Sequence, residues 1–394
     1  MPIYEKRSVI DVAAPALFAW HTRPGAFERL APPWEHMRIV SRHGGIADGS
    51  RMTLEVRRGP LKTRWEALHR DFIDGRQFTD VQVAGPFRRW EHTHKVEPNR
   101  DGQSTLIDHV DYALPLGPIG AMAGGAYARR MMDRLFTFRH RRIATDLGRH
   151  AAIGQGRRMR LVLTGRTGWV LTQLAAFLGT GGHRVRMFPT TEDARTQPAE
   201  AAWGPTLVPD FAALEQADAA IHMGLGDLPG LLTSLDQRRS RARTVIAIPT
   251  LSTAVAAPVD LEALQQAASS STRRVVVLLT PGLLAAWPAL EGGVPRNVVT
   301  PSVDGALVGL DDLIGATYFA LCTDSVSGLF DITLPRAGAT AALPTPVARW
   351  VDDLRVLKLT SPPAGDARPL TAAGFSPLNP TLSDTILAEI GWPD

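Results

Sequence analysis

Hydrophobic positions follow two different patterns along the chain, and the change falls near residue 157. In the first part apolar and polar residues alternate over short runs, the period of a strand with one buried face. Met52, Leu54 and Val56 form one such run, and "RRWEHTHKVEP" (88–98) and "STLIDHVDYAL" (104–114) form two more. A short strand is expected around residues 4–11, followed by "PALFAWHTRPGAFERL", where helical spacing is interrupted by Pro-Gly. From about Pro118 to Leu147 the spacing is that of one long helix, despite glycines near its start. Together these predict a meander of strands wrapped on a long helix, an arrangement that encloses a cavity.

The second part alternates short continuous apolar runs with helical patterns. The runs are "MRLVLTG" (159–165), "HRVRMF" (183–188), "DAAIHMG" (218–224), "TVIAIPT" (244–250) and "RRVVVLLT" (273–280). Strands buried on both faces and separated by helices predict a parallel, doubly wound α/β sheet. The small, glycine-containing and basic stretch "RHAAIGQGRRM" (149–159) marks the seam. The expected division is 1–150, a linker at 151–158, and 159–394. At 394 residues both parts are long enough to bury a core.

Alternation also says which side chains face the enclosed cavity. Glu91, Thr93, Lys95 and Glu97 share the face that suits water, so Trp90, His92, His94 and Val96 share the other. On the next strand Leu106, Asp108, Val110 and Tyr112 lie on one face, which brings Asp108 and Tyr112 toward the histidines. A few polar groups in an apolar cavity is the usual make-up of a ligand site. The bland alternative is that the histidines are satisfied core residues. Asp108 is the one carboxylate that can be named for them, and no metal is predicted.

Composition narrows the classes. With 44% apolar and 21% charged residues the chain is globular. It opens without an apolar stretch like that of a signal peptide, and its longest apolar run, Val275–Pro288, is interrupted by Pro281 and too short to span a bilayer. A cytoplasmic protein without membrane insertion is expected. The single cysteine, Cys322, lies in an apolar helical pattern and is expected to be a buried, inert thiol. Residues 1–157 hold 25 Lys and Arg against 17 Asp and Glu, whereas the rest hold 18 against 22. Part of that excess is the run Arg129, Arg130, Arg134, Arg139, Arg141 and Arg142. Spread around a helix, these suit a solvated surface or a contact with the acidic second half. No aromatic interleaving or motif points to nucleic acid, and none identifies a protein partner.

The stretches "FAWHTRPGAFERLAPPWE" (18–35), "GPFRRWEHTH" (85–94), "DHVDYALPLG" (108–117) and "FRHRRIATDL" (138–147) resemble the START-like, or SRPBCC, domain of polyketide cyclase type that is fused ahead of epimerase-type reductases in bacteria. The resemblance implies an α+β helix-grip fold, a curved antiparallel sheet around a long carboxy-terminal helix, which commonly holds a small apolar molecule. In the second half "WGPTLVPDFAALEQADAAIHMG" (203–224), "LDDLIGA" (310–316) and "GFSPLNPTLSDTIL" (374–387) resemble extended short-chain dehydrogenases/reductases of the NAD(P)-dependent epimerase/dehydratase group. That implies an α/β Rossmann-like domain with a family-specific tail.

Within that resemblance the turn "TGRTGWVL" supplies the candidate cofactor residues. Gly165 would permit the tight turn, Gly168 would admit a pyrophosphate to the helix N-terminus, and Arg166 would pair with a phosphate. Leu171 stands where a third glycine is usual. Strand two ends at Pro189, with Asp193 beyond it, and offers no clear acid for a ribose. NAD or NADP binding is left open. The reductases usually move a proton through a tyrosine after strand five with a lysine four residues on. Here that region reads "IPTLSTAVAAPVDLEALQQ", without either residue, and leaves only the hydroxyls of Ser252 and Thr253. Tyr318 and Lys358 are not placed for the role, and Asp311 and Asp312 are expected to cap their own helix. The leading reading is a two-domain binding protein whose reductase domain is a pseudoenzyme serving as scaffold or nucleotide sensor. An active NAD(P)-dependent oxidoreductase or epimerase with an atypical proton donor is one alternative. Cyclase-type chemistry is the other, with His92 or His94 as base oriented by Asp108.

Overall fold

The computed structural model describes residues 2–58, 61–153, 157–165, 168–189, 211–224, 228–249, 261–279, 282–286, 298–299, 308–333, 354–358 and 367–390. Its first part runs β1 (Ile3–Ile10), α1 (Ala14–Thr22), α2 (Ala26–Leu30), β2 (His36–His43), β3 (Arg51–Arg58), β4 (Leu61–Ile73), β5 (Gln77–Ala84), β6 (Arg89–Pro98), β7 (Ser104–Ala113) and α3 (Gly117–Ile153). The seven strands form one antiparallel sheet in the order β1-β7-β6-β5-β4-β3-β2, with α3 packed on its inner face. This is the helix-grip arrangement. The long helix docks because Met132, Phe136, His140, Ile143 and Leu147 recur every three or four residues along one buried stripe. It continues to Ile153, into the stretch expected to be linker.

The second part begins with β8 (Arg160–Gly165), α4 (Gly168–Thr180), β9 (Arg184–Pro189), α5 (Phe211–Gln216), β10 (Ala219–Met223), α6 (Leu228–Gln237), β11 (Thr244–Ile248), α7 (Leu261–Ser270) and β12 (Arg274–Leu279). It ends with β13 (Gly282–Ala286), β14 (Val298–Val299), β15 (Val308–Gly309), α8 (Leu310–Cys322), β16 (Gly328–Asp331), β17 (Leu354–Lys358), β18 (Arg368–Pro369) and α9 (Leu382–Ile390). A parallel sheet runs β18-β16-β12-β11-β10-β8-β9. Alternate residues feed two cores: Leu161, Leu163, Ile221 and Val276 pack under α4 and α8, while Val162, Ala220, Val245 and Val277 pack under α6 and α7. Both faces are covered, which is why these strands read as continuous apolar runs.

The two parts meet across buried charge and bare backbone. A Cβ on Gly25, which has φ +96°, would overlap the Ala176 backbone, so α2 lies directly on α4. Arg23 donates to the Thr180 carbonyl at 2.7 Å, and Gln173 donates to that of Glu28 at 3.0 Å. Arg29, 1% exposed, holds Asp146 in a two-point pair at 2.8 and 2.6 Å and reaches Asp311 at 3.3 Å. Arg142 also pairs with Asp311, and Arg149 pairs with Asp312 at 2.8 Å. Asp312 further accepts the backbone N–H groups of Leu378 and Asn379. The expected capping role of Asp311 and Asp312 is therefore corrected. Neither side chain caps α8, whose N-cap is Gly309, because both are turned to arginines of α2 and α3. Of the arginine run, Arg142 makes the contact with the second half, while Arg134 stacks 3.8 Å from the Trp34 ring.

Candidate functional site

The inner face of β6 carries Trp90, His92, His94 and Val96, all buried. Across the sheet His94 is paired with Asp108 and Trp90 with Tyr112 on β7, while His92 is paired with Asp80 on β5. This register brings the expected histidines to Asp108. Tyr112 goes instead to the aromatic side, beside Trp90 and 6.3 Å from Phe87.

The result is a buried histidine–aspartate cluster. His92 presents Nδ1 to Asp80 Oδ1 at 3.1 Å and Nε2 to Asp108 Oδ1 at 3.1 Å. His94 presents Nε2 to Asp80 Oδ1 at 3.4 Å and Nδ1 to Asp108 Oδ1 at 2.7 Å, the latter out of line for a hydrogen bond. From α3, His140 donates through Nε2 to Asp108 Oδ2 at 2.8 Å, and its Nδ1 meets Ser8 Oγ at 2.8 Å. Rings wall the cluster in: Phe78 stacks on His94 at 4.3 Å, and Phe136 meets His92 edge-on at 5.1 Å.

Electrostatics follow from this enclosure. Burial alone would lower the pKa of His92, but the carboxylates of Asp80 and Asp108 outweigh it and lift the imidazole to about 9. Burial likewise opposes ionisation of Asp80 and Asp108, yet the facing histidines hold both well below the usual carboxylate range. His21, fully enclosed beside His94, is pushed down to about 4 by burial and then by the His94 charge. Among the described residues its Nε2 has no hydrogen-bond partner.

Asp80 and His140 were not singled out from sequence. His140 stands in the middle of the apolar stripe of α3, where a polar residue signals a buried partner. Asp80 carried a weaker signal, two residues from Phe78 on one strand face.

One edge of the cluster adjoins an aromatic wall. Trp90 Nε1 donates to Asp80 Oδ2 at 3.3 Å, and the Trp90 ring meets Trp65 at 5.3 Å and Phe87 at 4.8 Å. Trp65, Phe87 and Leu114 are only half-buried, and the Asp80 side chain keeps 19% of its surface exposed.

In the second domain Gly165 ends β8 with φ +116°, and a Cβ there would overlap the Met223 carbonyl of β10. The strand packing itself demands this glycine. Gly168 opens α4, and Leu171 is buried in the core beneath it. Arg166, Asp193, Ser252 and Thr253 lie outside the described residues. Tyr318 is buried in α8, 3.4 Å from His183 Nε2, and burial followed by Cys322 raises its hydroxyl pKa. Cys322 is half-buried and its thiol is pushed up to about 11 by burial. Among the described residues no helix is long and apolar enough to cross a membrane.

Residues 10–138 match the family model described as polyketide cyclase/dehydrase and lipid transport. No curated protein matches the chain. A solved nucleoside-diphosphate sugar epimerase from Corynebacterium glutamicum is similar in fold over both domains, at 21% identity, with 98% of this chain and 90% of that one covered and a TM-score of 0.69. Smaller solved proteins match part of the chain. Norcoclaurine synthase from Thalictrum flavum covers 34% of this chain and 83% of its own at 12% identity and a TM-score of 0.27. An aromatase/cyclase from a Streptomyces species covers 40% and 99% at 14% identity and a TM-score of 0.31.

Proposed function

From a chain with a polyketide cyclase/dehydrase-type domain at its amino end and an epimerase-like fold throughout, we propose a two-domain binding protein for a small organic molecule. The ligand lies between the sheet and α3, with Trp65, Phe87, Trp90 and Tyr112 as its apolar wall and the Asp80–His94 edge as its polar contact. One observation carries this reading: the Trp90 indole joins the two, its ring in the half-buried aromatic wall and its N–H on Asp80. An apolar pocket with few convergent polar groups is how small-molecule sites are built. The second domain supports the first through α4 and α8 and does no hydride chemistry. Its strand-five region has no tyrosine or lysine, and Gly165 is accounted for without a cofactor.

A proton-transfer role in the first domain is favoured only for His94. His92 is 2% exposed against 8% for His94, so His94 is the imidazole that a small organic molecule reaches first.

The test is a fluorescence titration of the full chain with anilinonaphthalene sulfonate, competed by a panel of aromatic and polycyclic small molecules. Saturable one-to-one binding that weakens at least tenfold in Trp65→Ala is expected. Binding indifferent to that substitution would remove the reading. A parallel titration with NADH and NADPH separates scaffold from nucleotide sensor, because micromolar binding would restore a cofactor role to Gly165 and Gly168.

A further inference from the structure

The two histidines of β6 are not merely near the two aspartates; they are sorted between them. His92 Nδ1 and His94 Nε2 both point at Asp80 Oδ1, at 3.1 and 3.4 Å. Their other nitrogens both point at Asp108 Oδ1, at 3.1 and 2.7 Å. Each imidazole therefore spans from one carboxylate to the other. Metal centres use this layout, one carboxylate among the ligands and a second behind the histidines to fix ring orientation. We propose that Asp80, His92 and His94 form a binding site for a borderline divalent transition-metal ion such as zinc or iron(II), with Asp108 orienting both imidazoles from outside the coordination sphere.

Three observations support the assignment. The first is spacing. Bonds of about 2.1 Å to a tetrahedral ion place neighbouring ligand atoms about 3.4 Å apart. The nitrogen–oxygen separations of 3.1 and 3.4 Å already match that edge, and all three ligand atoms lie within 4.8 Å of one another. Little movement is needed to close the set.

The second is rigidity. His92 and His94 are two residues apart on β6, and Asp80 is the register partner of His92 on β5, so the ladder itself sets the geometry. Asp108 is in turn held by His140 from α3, and Asp80 by the indole of Trp90. The third is access. Asp108 and His92 are closed off, but the Asp80 side chain keeps 19% of its surface exposed, so an ion can reach the set from the Asp80 side. Two imidazoles and one carboxylate suit zinc, iron(II) or cobalt(II), whereas magnesium and calcium prefer an all-oxygen set. The site stands independently of whether an organic ligand occupies the space beyond it.

The test uses the full-length chain, stripped with a strong chelator and titrated with Co²⁺. Visible d–d absorption that saturates at one equivalent and is displaced by Zn²⁺ is expected. Asp80→Asn keeps the side-chain volume and the oxygen that faces Trp90, and it should abolish the signal; Asp80→Glu should restore part of it. Asp108→Asn should weaken binding about 10- to 100-fold without changing stoichiometry. His109→Gln, at a half-buried histidine on the other face of β7 that pairs with Glu5, should leave it unchanged. As a second readout, Zn²⁺ should raise the melting temperature of the native chain and leave that of Asp80→Asn where it was. Absence of saturable uptake near one equivalent, or uptake unaltered in Asp80→Asn, would mean that the cluster is a histidine–aspartate ion-pair network and nothing more.

Discussion

Removing Asp146 should destabilise the chain by about 3 kcal/mol. Arg29 is 1% exposed and makes its two-point pair with Asp146 at 2.8 and 2.6 Å. Deleting one partner of a buried pair leaves an uncompensated charge and costs about 3–5 kcal/mol. The lower end applies here because Gln173 Oε1 at 3.2 Å and Asp311 Oδ1 at 3.3 Å still accept from Arg29. The perturbation is Asp146→Ala, and the assay is equilibrium urea unfolding followed by tryptophan fluorescence and circular dichroism. A second chain, Arg29→Met with Asp146→Leu, removes both charges and replaces them with apolar volume. It should lose less than Asp146→Ala alone, since no charge is stranded. A loss below about 1 kcal/mol in Asp146→Ala, or a double variant no better than the single one, would refute the reasoning that burial of unpaired charge governs this junction.

Two further outcomes are expected. Gly165→Ala should cost at least about 2 kcal/mol in thermal or urea unfolding with no nucleotide present, because a Cβ at φ +116° overlaps the Met223 carbonyl; unchanged stability would return the glycine to a purely cofactor-related role. Acid should loosen the second domain through His183. Its Nδ1 accepts the Met159 N–H at 3.2 Å, and burial, then the Arg23 charge, holds its pKa at about 4. The folded value is depressed, so the associated stability is present above the unfolded value near 6.5 and is lost as pH falls toward 4, about 3 kcal/mol in all. His183→Gln should flatten that part of a stability–pH curve measured between pH 7 and 4, and an unchanged slope would exclude His183 as its source.

Much of this protein is legible in its sequence because backbone periodicity is local. The two-residue alternation around Trp90, His92 and His94 assigns their face, and the continuous apolar runs after residue 157 assign a parallel sheet covered on both sides. Asp108 is legible for the same reason, on the matching face of the following strand. The remaining partners depend on distances between elements. Asp80 joins the histidines through the β5–β6 register, and His140 arrives from α3, 32 residues after Asp108. Periodicity within one element cannot say which strand lies beside it or at what offset.

The same limit explains Asp311 and Asp312. By sequence alone they open a helix, where acidic residues commonly cap or offset the dipole. Packing α8 against α2 and α3 puts Arg29, Arg142 and Arg149 within reach, and a full guanidinium charge in a buried site outcompetes partial charges on backbone N–H groups. Sequence by itself thus determines the change from an antiparallel meander on a long helix to a parallel sheet, the strands β1, β3, β6 and β7, and the inward set of Trp90, His92, His94 and Asp108, but not β2, β4 or β5. Tertiary structure decides that these residues close into one cluster with Asp80 and His140, because only packing brings distant carboxylates and imidazoles within hydrogen-bonding distance.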